Sequence, residues 1–294
     1  MNKHTHFAAL LGGLTLLAGL AAPAHAGPWV KAPGESYLKV SGSSFSSDQA
    51  FNLDGELVDA GYSASQKGLG LYGEVGVFPG VALNFNTAFY KSTNEISPRE
   101  RYHRWGAGDL DLALQIAVLE GSCSASVAPG ARIPLYSGTL SAQNGLSAVD
   151  MGKQGVQRYT PALGDGSVDL VAHASFGCSL YPIPGWFGVQ TGPRIRLNGF
   201  GDGVDFAADF GVFVWPERIA LMVRADGVQT LTSDNERPTK SYLNLSGGVI
   251  ANIYAGFALE ANASYIPVGE FVAQGWTATL GLSYSGDVFQ NPYE

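Results

Sequence analysis

The chain has 294 residues, including 39 Gly, 15 Phe and 13 Tyr, with only 14% charged residues and a formal net charge of −8. An acidic chain offers no basic face to a phosphate backbone, so nucleic acid is excluded as a partner. The Gly-rich, aromatic and charge-poor composition leans to strands, and the acidity fits solvated loops.

Residues 1–26 read as a signal peptide. Lys3, with His4 and His6 beside it, makes a short basic start, and a mostly apolar run follows from Phe7 to Leu20. Ala24-His25-Ala26 is the small-x-small pattern that signal peptidase accepts, which starts the mature chain at Gly27. The apolar run is short for a spanning helix, and no later stretch is apolar for long enough. A mature chain that sits in a membrane must then do so as a closed barrel, because an open sheet edge leaves backbone groups unpaired in lipid. No composition break or linker divides residues 27–294, which read as one outer-membrane barrel domain.

Nearly all of that domain alternates with period two, the signature of strands. Leu110, Leu112, Leu114, Ile116 and Val118 alternate with Asp109, Asp111, Ala113, Gln115 and Ala117. Phe206, Ala208, Phe210, Val212 and Val214 do so with Asp205, Ala207, Asp209, Gly211 and Phe213, and Trp276 to Tyr284 repeats the pattern. One face is apolar and the other small or polar, as in a barrel with lipid outside and polar contacts inside. The fold class is all-β, a transmembrane antiparallel up-and-down β-barrel of about twelve strands. These are expected near 36–45, 67–77, 81–93, 106–119, 122–134, 166–179, 186–198, 205–214, 219–232, 240–253, 257–267 and 275–284.

Short turns fall at Phe78-Pro79-Gly80, Glu120-Gly121, Tyr181 to Gly185, Trp215 to Arg218 and Tyr254-Ala255-Gly256. The intervening connections, 46–66, 94–105, 135–165, 199–204, 233–239 and 268–274, read as longer external loops. Phe78, Tyr181, Trp186, Trp215, Tyr254 and Phe257 gather at the short turns, with Tyr37 and Tyr284 expected at their level, as interfacial aromatics do. Loop 135–165 is the longest; it either folds inward to constrict the pore or stays a surface loop.

The inward face carries charges in a definite order. Asp109 and Asp111 are followed by Arg132, Asp169, Arg194 and Arg196, then Asp205, Asp209, Arg224 and Asp226. Acid and base alternate from strand to strand, as a cross-strand ladder of ion pairs requires. Such a ladder pins register and neutralises a polar lumen; it also suits a pore lining that selects solutes by charge. Cys123 and Cys178 lie on strands expected to be neighbours, both facing outward. They are candidates for a disulfide in an exported protein, the other reading being two small apolar residues against lipid.

His173 and Ser175 share a strand face, the spacing of a hydrolase pair, but that face points inward and no orienting carboxylate is evident in sequence. The histidine reads as a lumenal one. No metal spacing occurs, three of the five His being in the signal segment, and no phosphate-binding glycine loop opens a helix. The sequence calls for no cofactor and no catalytic residue.

Several short motifs carry a family resemblance. Gly27-Pro28-Trp29 followed by Pro33 to Lys39, then Gly106-Ala107-Gly108-Asp109-Leu110-Asp111-Leu112, and Leu163 to Asp169 resemble elements of the phenol-degradation meta-pathway group of outer-membrane barrels. More distantly they are similar to fatty-acid transporters of the FadL type. The resemblance implies passive uptake of small, often hydrophobic or aromatic molecules. The expected partners are the outer-membrane bilayer, a small-molecule solute and the outer-membrane assembly machinery. The chain departs from the FadL pattern in showing no plug-like N-terminal segment, and it ends Phe289 to Glu294 instead of on a terminal aromatic. Two other functions stay open: a non-conducting structural or adhesion barrel with a salt-bridged lumen, and, more weakly, a barrel lipid hydrolase.

Overall fold

The structure, a computed structural model, describes residues 27–136, 160–197, 200–232 and 240–287. The expected signal peptide, most of loop 135–165 and the C-terminal tail lie outside these residues. Twelve strands follow in order: β1 (Glu35–Phe51), β2 (Leu57–Phe78), β3 (Val81–Ser97), β4 (Glu100–Leu119), β5 (Cys123–Pro134), β6 (Asp169–Ser179), β7 (Gly185–Arg196), β8 (Gly203–Trp215), β9 (Ile219–Thr230), β10 (Ser241–Tyr254), β11 (Phe257–Glu270) and β12 (Val272–Asp287). Each pairs antiparallel with its neighbour in sequence, and β1 pairs with β12, closing the barrel. Closure leaves no edge strand. The described residues contain no helix.

Polarity is inverted relative to a water-soluble core. Leu280, Leu69, Val223, Val214 and Leu282 stand exposed on the outer wall, whereas Gln66, Gln115, Asp169 and Ser92 are almost wholly buried inside. A soluble monomer rarely exposes a contiguous apolar patch beyond a few hundred Å². Here apolar side chains cover every strand of the wall. Exposed rings ring the short-turn end: Phe78, Tyr181, Trp215, Tyr254 and Phe257. Trp186 and Tyr37 depart from the expected girdle and turn inward. The Trp186 Nε1–H donates to Asp209 Oδ2 at 3.0 Å, and the Tyr37 hydroxyl donates to Glu260. A buried indole or phenol takes a polar partner where one is offered, and the lumen offers it.

The four first strands are taller than the sequence suggests. Most of 46–66 and 94–105 is strand, with connections reduced to residues 52–56 and 98–99, and 268–274 tightens to a single residue, Phe271, at φ 50°. The physical reason is that these parts rise above the apolar band. Both faces are then free to be polar, as in Ser43 to Gln49, so alternation lapses while the hydrogen-bond ladder continues. Length asymmetry between the two ends therefore rests chiefly on the β5–β6 connection.

Two segments enter the lumen. Residues 27–34 run inside the wall at the short-turn end, contrary to the expectation of no plug-like segment. Gln115 Nε2 donates to the Gly27 carbonyl at 2.7 Å, and the Gly34 N–H donates to Gly76 O at 3.0 Å. Pro28 reaches Gly177 of β6, so the segment crosses the mouth from β2 past β4 to β6. A side chain at Gly76 would meet the Ala32 carbonyl at 1.9 Å; only glycine leaves room for this passage. At the other end, the described close of the long loop also tucks inward, with Leu163 packed against Ala88, Tyr90 and Tyr136.

Candidate functional site

The lumen holds an ion-pair layer built by register. Asp111 stands opposite Arg132, and Arg132 opposite Asp169, which in turn faces Arg196. Arg132 Nε reaches Asp111 Oδ1 at 2.6 Å, and Arg194 Nε donates to Asp169 Oδ2 at 2.7 Å. Arg196 Nε lies 3.4 Å from Asp169 Oδ1, and its Nη2 grips Asp165. Further round, Arg224 Nε meets Asp226 Oδ1 at 3.2 Å and its Nη1 lies 4.0 Å from Asp209, its register partner. Arg194 also approaches Asp205, at 3.9 Å. Nine of the ten charges singled out by alternation thus enter this layer. Asp109 stands apart at a β-bulge of β4, against the Tyr136 hydroxyl, and makes no ion pair among the described residues.

Cys123 and Cys178 are register partners at the short-turn end of β5 and β6, joined as a disulfide with Cα atoms 4.0 Å apart.

Some inward polar pairs are not legible in the sequence because they reach over an intervening strand. His173 on β6 meets Asp205 on β8, Nε2 to Oδ2 at 3.2 Å. Between them β7 presents Gly192, opposite Asp205 and with its absent Cβ 2.8 Å from the His173 Cα. Lys39 on β1 likewise meets Glu260 on β11 over Gly281 of β12, where a Cβ would sit 2.9 Å from Lys39 Cε. An inward glycine in a strand is the signal that would have pointed to them, since it marks a close approach. Ser175 faces the lumen beside His173, away from lipid.

Outside the strands, Asp165 is held by a cationic surround. Burial pushes its carboxyl up, but Lys240 and Arg196, with the Ser167 N–H and Arg194, outweigh that and bring it down to about 2. Burial likewise lowers the Lys240 ammonium, with Asp165 opposing.

Two cavities flank the layer and share Arg132 and His173 as walls. One, about 70 Å³, is lined by Tyr72, Asn86, Gln115 and Ser175. The other, about 40 Å³, lies against Arg194, Asp205, Asp226 and Tyr242. Both are far below the roughly 300 Å³ of a drug-sized ligand pocket. Beyond the layer, away from the short turns, Phe45, Phe51, Ile266, Phe271 and Val272 form a buried apolar cluster.

No protein-family profile and no curated protein matches the sequence. Solved structures do match the fold. An outer-membrane channel from Pseudomonas putida F1 superposes with a TM-score of 0.65 at 12% identity, over 87% of this chain and 97% of that one. The NanC porin does so with a TM-score of 0.51 at 7% identity, over 84% of this chain and 98% of that one. At such identities the shared property is the architecture, and this chain is built as bacterial outer-membrane channels are built.

Proposed function

We propose that the chain is an outer-membrane channel for passive passage of small molecules, gated by the contents of its own lumen. The observation that carries this reading is the inverted wall: apolar outside on every strand, ion-paired and water-sized cavities inside. Such a body is at rest only in a bilayer, and a polar lumen is the route it offers across it. The Arg132–Asp111 and Arg194–Asp169 pairs form the throat. A passing organic solute must displace their side chains, because the flanking cavities are too small to admit it unchanged. The apolar cluster about Phe45 and Phe271 favours hydrophobic or aromatic solutes at the far mouth. Both termini of the described barrel lie at the short-turn end, which is then periplasmic. Partners are the outer-membrane lipid, the solute and the assembly machinery that folds such barrels.

The segment 27–34 and the dense ion pairing favour a second reading, a non-conducting barrel with structural duties. Single-channel recording of the mature protein in a planar bilayer separates the two. Discrete openings whose ion selectivity changes with Arg194→Ala or Asp209→Ala support the channel. An inserted barrel that stays silent, also after removal of residues 27–34, establishes the structural reading.

A further inference from the structure

A charged pair on the outer wall is explained by neither the lumen nor the throat. Lys67 on β2 and Lys91 on β3 are direct register partners, both on the outward face and both exposed. Opposed residues on one face hold their Cβ atoms about 5 Å apart, and like charges placed so are destabilising. Neither lysine has a hydrogen-bond or ion-pair partner among the described residues. The next carboxylate up that face, Glu95, is taken by Arg101 at 2.9 Å. In a chain of net charge −8, such a cationic pair left uncompensated calls for an anion from outside.

Its height on the wall says which anion. Below Lys67 the outward residues of β2 are Leu69 and Leu71, and below Lys91 stands Phe89, all apolar; above them come Ser65 and Thr93. The pair sits at the upper limit of the lipid-facing band. Trp105, opposite Lys91 and packed edge-on against Phe89 at 5.7 Å, marks the same boundary with a 69% exposed indole. On the other flank Ser44 faces Lys67, and beyond it Ala278 and Ala263 leave an open furrow of about 660 Å³ walled by Val249 and Leu280. Strands in such barrels tilt by roughly 45°, so a row of register partners runs obliquely across the band and not along its rim.

We propose that Lys67 and Lys91 are the headgroup site for a phosphorylated, acylated lipid of the leaflet at this end. Its phosphate bridges the two ammonium groups, and its chains lie down the wall over Leu69, Phe89 and the furrow. This rests on the reading of the barrel as membrane-embedded.

The test uses mature protein in detergent micelles doped with dimyristoyl phosphatidylglycerol or with the phosphatidylcholine analogue, bound lipid being counted by native mass spectrometry. The wild type is expected to retain the anionic lipid in preference to the zwitterionic one. Each of Lys67→Ser and Lys91→Ser is expected to weaken retention about fivefold, and the double variant roughly 20-fold. Heat-modifiable gel mobility in phosphatidylcholine vesicles reports insertion separately. Its loss in the wild type defeats the membrane reading, while lipid indifference in an inserted barrel defeats only the lipid site. If the double variant does not fold, the wild type still decides: its preference for the anionic lipid must fall with added salt. Equal retention of the two lipids, or of the anionic lipid by wild type and double variant, overturns the proposal. So does displacement of the lipid by millimolar inorganic phosphate, which points to a soluble anion. A dimer that the double variant abolishes overturns it in favour of a second copy of the chain.

Discussion

Arg132 stands directly opposite Asp111 across the β4–β5 ladder and grips both of its carboxylate oxygens, Nε to Oδ1 at 2.6 Å and Nη2 to Oδ2 at 3.3 Å. The pair is fixed twice, once by strand register and once by the planar fork of the guanidinium, whose geometry matches a carboxylate. Both side chains keep about a quarter of their surface.

Removing one partner should cost more than removing both. Arg132→Ala leaves Asp111 without the cation that grips it, and partial exposure discounts the penalty to about 1–3 kcal/mol. The double variant with Asp111→Ala should cost less than the sum of the singles, by about 1 kcal/mol. Urea unfolding from vesicles measures all three; strict additivity would show that the pair is not coupled.

Starting the chain at Glu35 should open the short-turn mouth. Every strand and the β1–β12 seam are retained. Larger or longer openings are expected in planar bilayers, and Gln115→Ala, which frees the Gly27 carbonyl, should move conductance the same way by a smaller step. Unchanged conductance in both would mean that the segment does not obstruct the path.

The Cys123–Cys178 bond joins residues 55 apart in sequence. The chain-entropy account gives a loop of that size about 4 kcal/mol of stabilisation. Both thiols should resist alkylation until reductant is added, and Cys123→Ser should lower the urea midpoint. Full alkylation without reductant would remove the bond from the account.

Acid should loosen the close of the long loop in a defined window. The Asp165 carboxyl lies at about 2, against an ordinary 3.8, so it favours the folded loop when ionised. That contribution is complete above about pH 4 and is lost as pH falls through about 2. Pepsin, which works across this range, should cut near Leu163 in the wild type only toward pH 2. In Asp165→Asn it should already cut at pH 4. Identical cleavage profiles would show that Asp165 does not hold the loop.

What could be read from the sequence follows from which forces act along the strand. Leu110 to Val118 advertises its two environments because every second residue meets lipid, and the same parity placed Asp111, Arg132 and Asp169 on one inward face. Neighbouring strands then turned parity into contact. His173 with Asp205 and Lys39 with Glu260 stayed hidden, because each pair spans two strands and depends on a missing side chain, at Gly192 and Gly281. The upper halves of β1 to β4 were hidden for a different cause. Above the lipid no solvent contrast writes a period into the sequence, and backbone hydrogen bonds alone keep Ser43 to Gln49 in the ladder. Residues 27–34 carry no period at all, and their place in the mouth depends on contacts to Gln115, Gly76 and Gly177, far away in the chain.

The seam between β1 and β12 sets the order of events in assembly. Glu35 pairs with Asp287 and Phe51 with Val272, so the first strand finds one of its two neighbours only when the last has been made. Until that moment β1 and β12 each carry a free row of backbone donors and acceptors that lipid cannot satisfy. Tight hairpins such as β2–β3 and β11–β12 are local and quick, but joining the ends waits on the longest loop closure the chain can make. The unfinished sheet must therefore be kept from lipid, or lent a temporary edge, throughout its construction. A lesion in Val272 to Asp287 would then be felt as a failure to assemble, long before it could be felt as a change in what passes through.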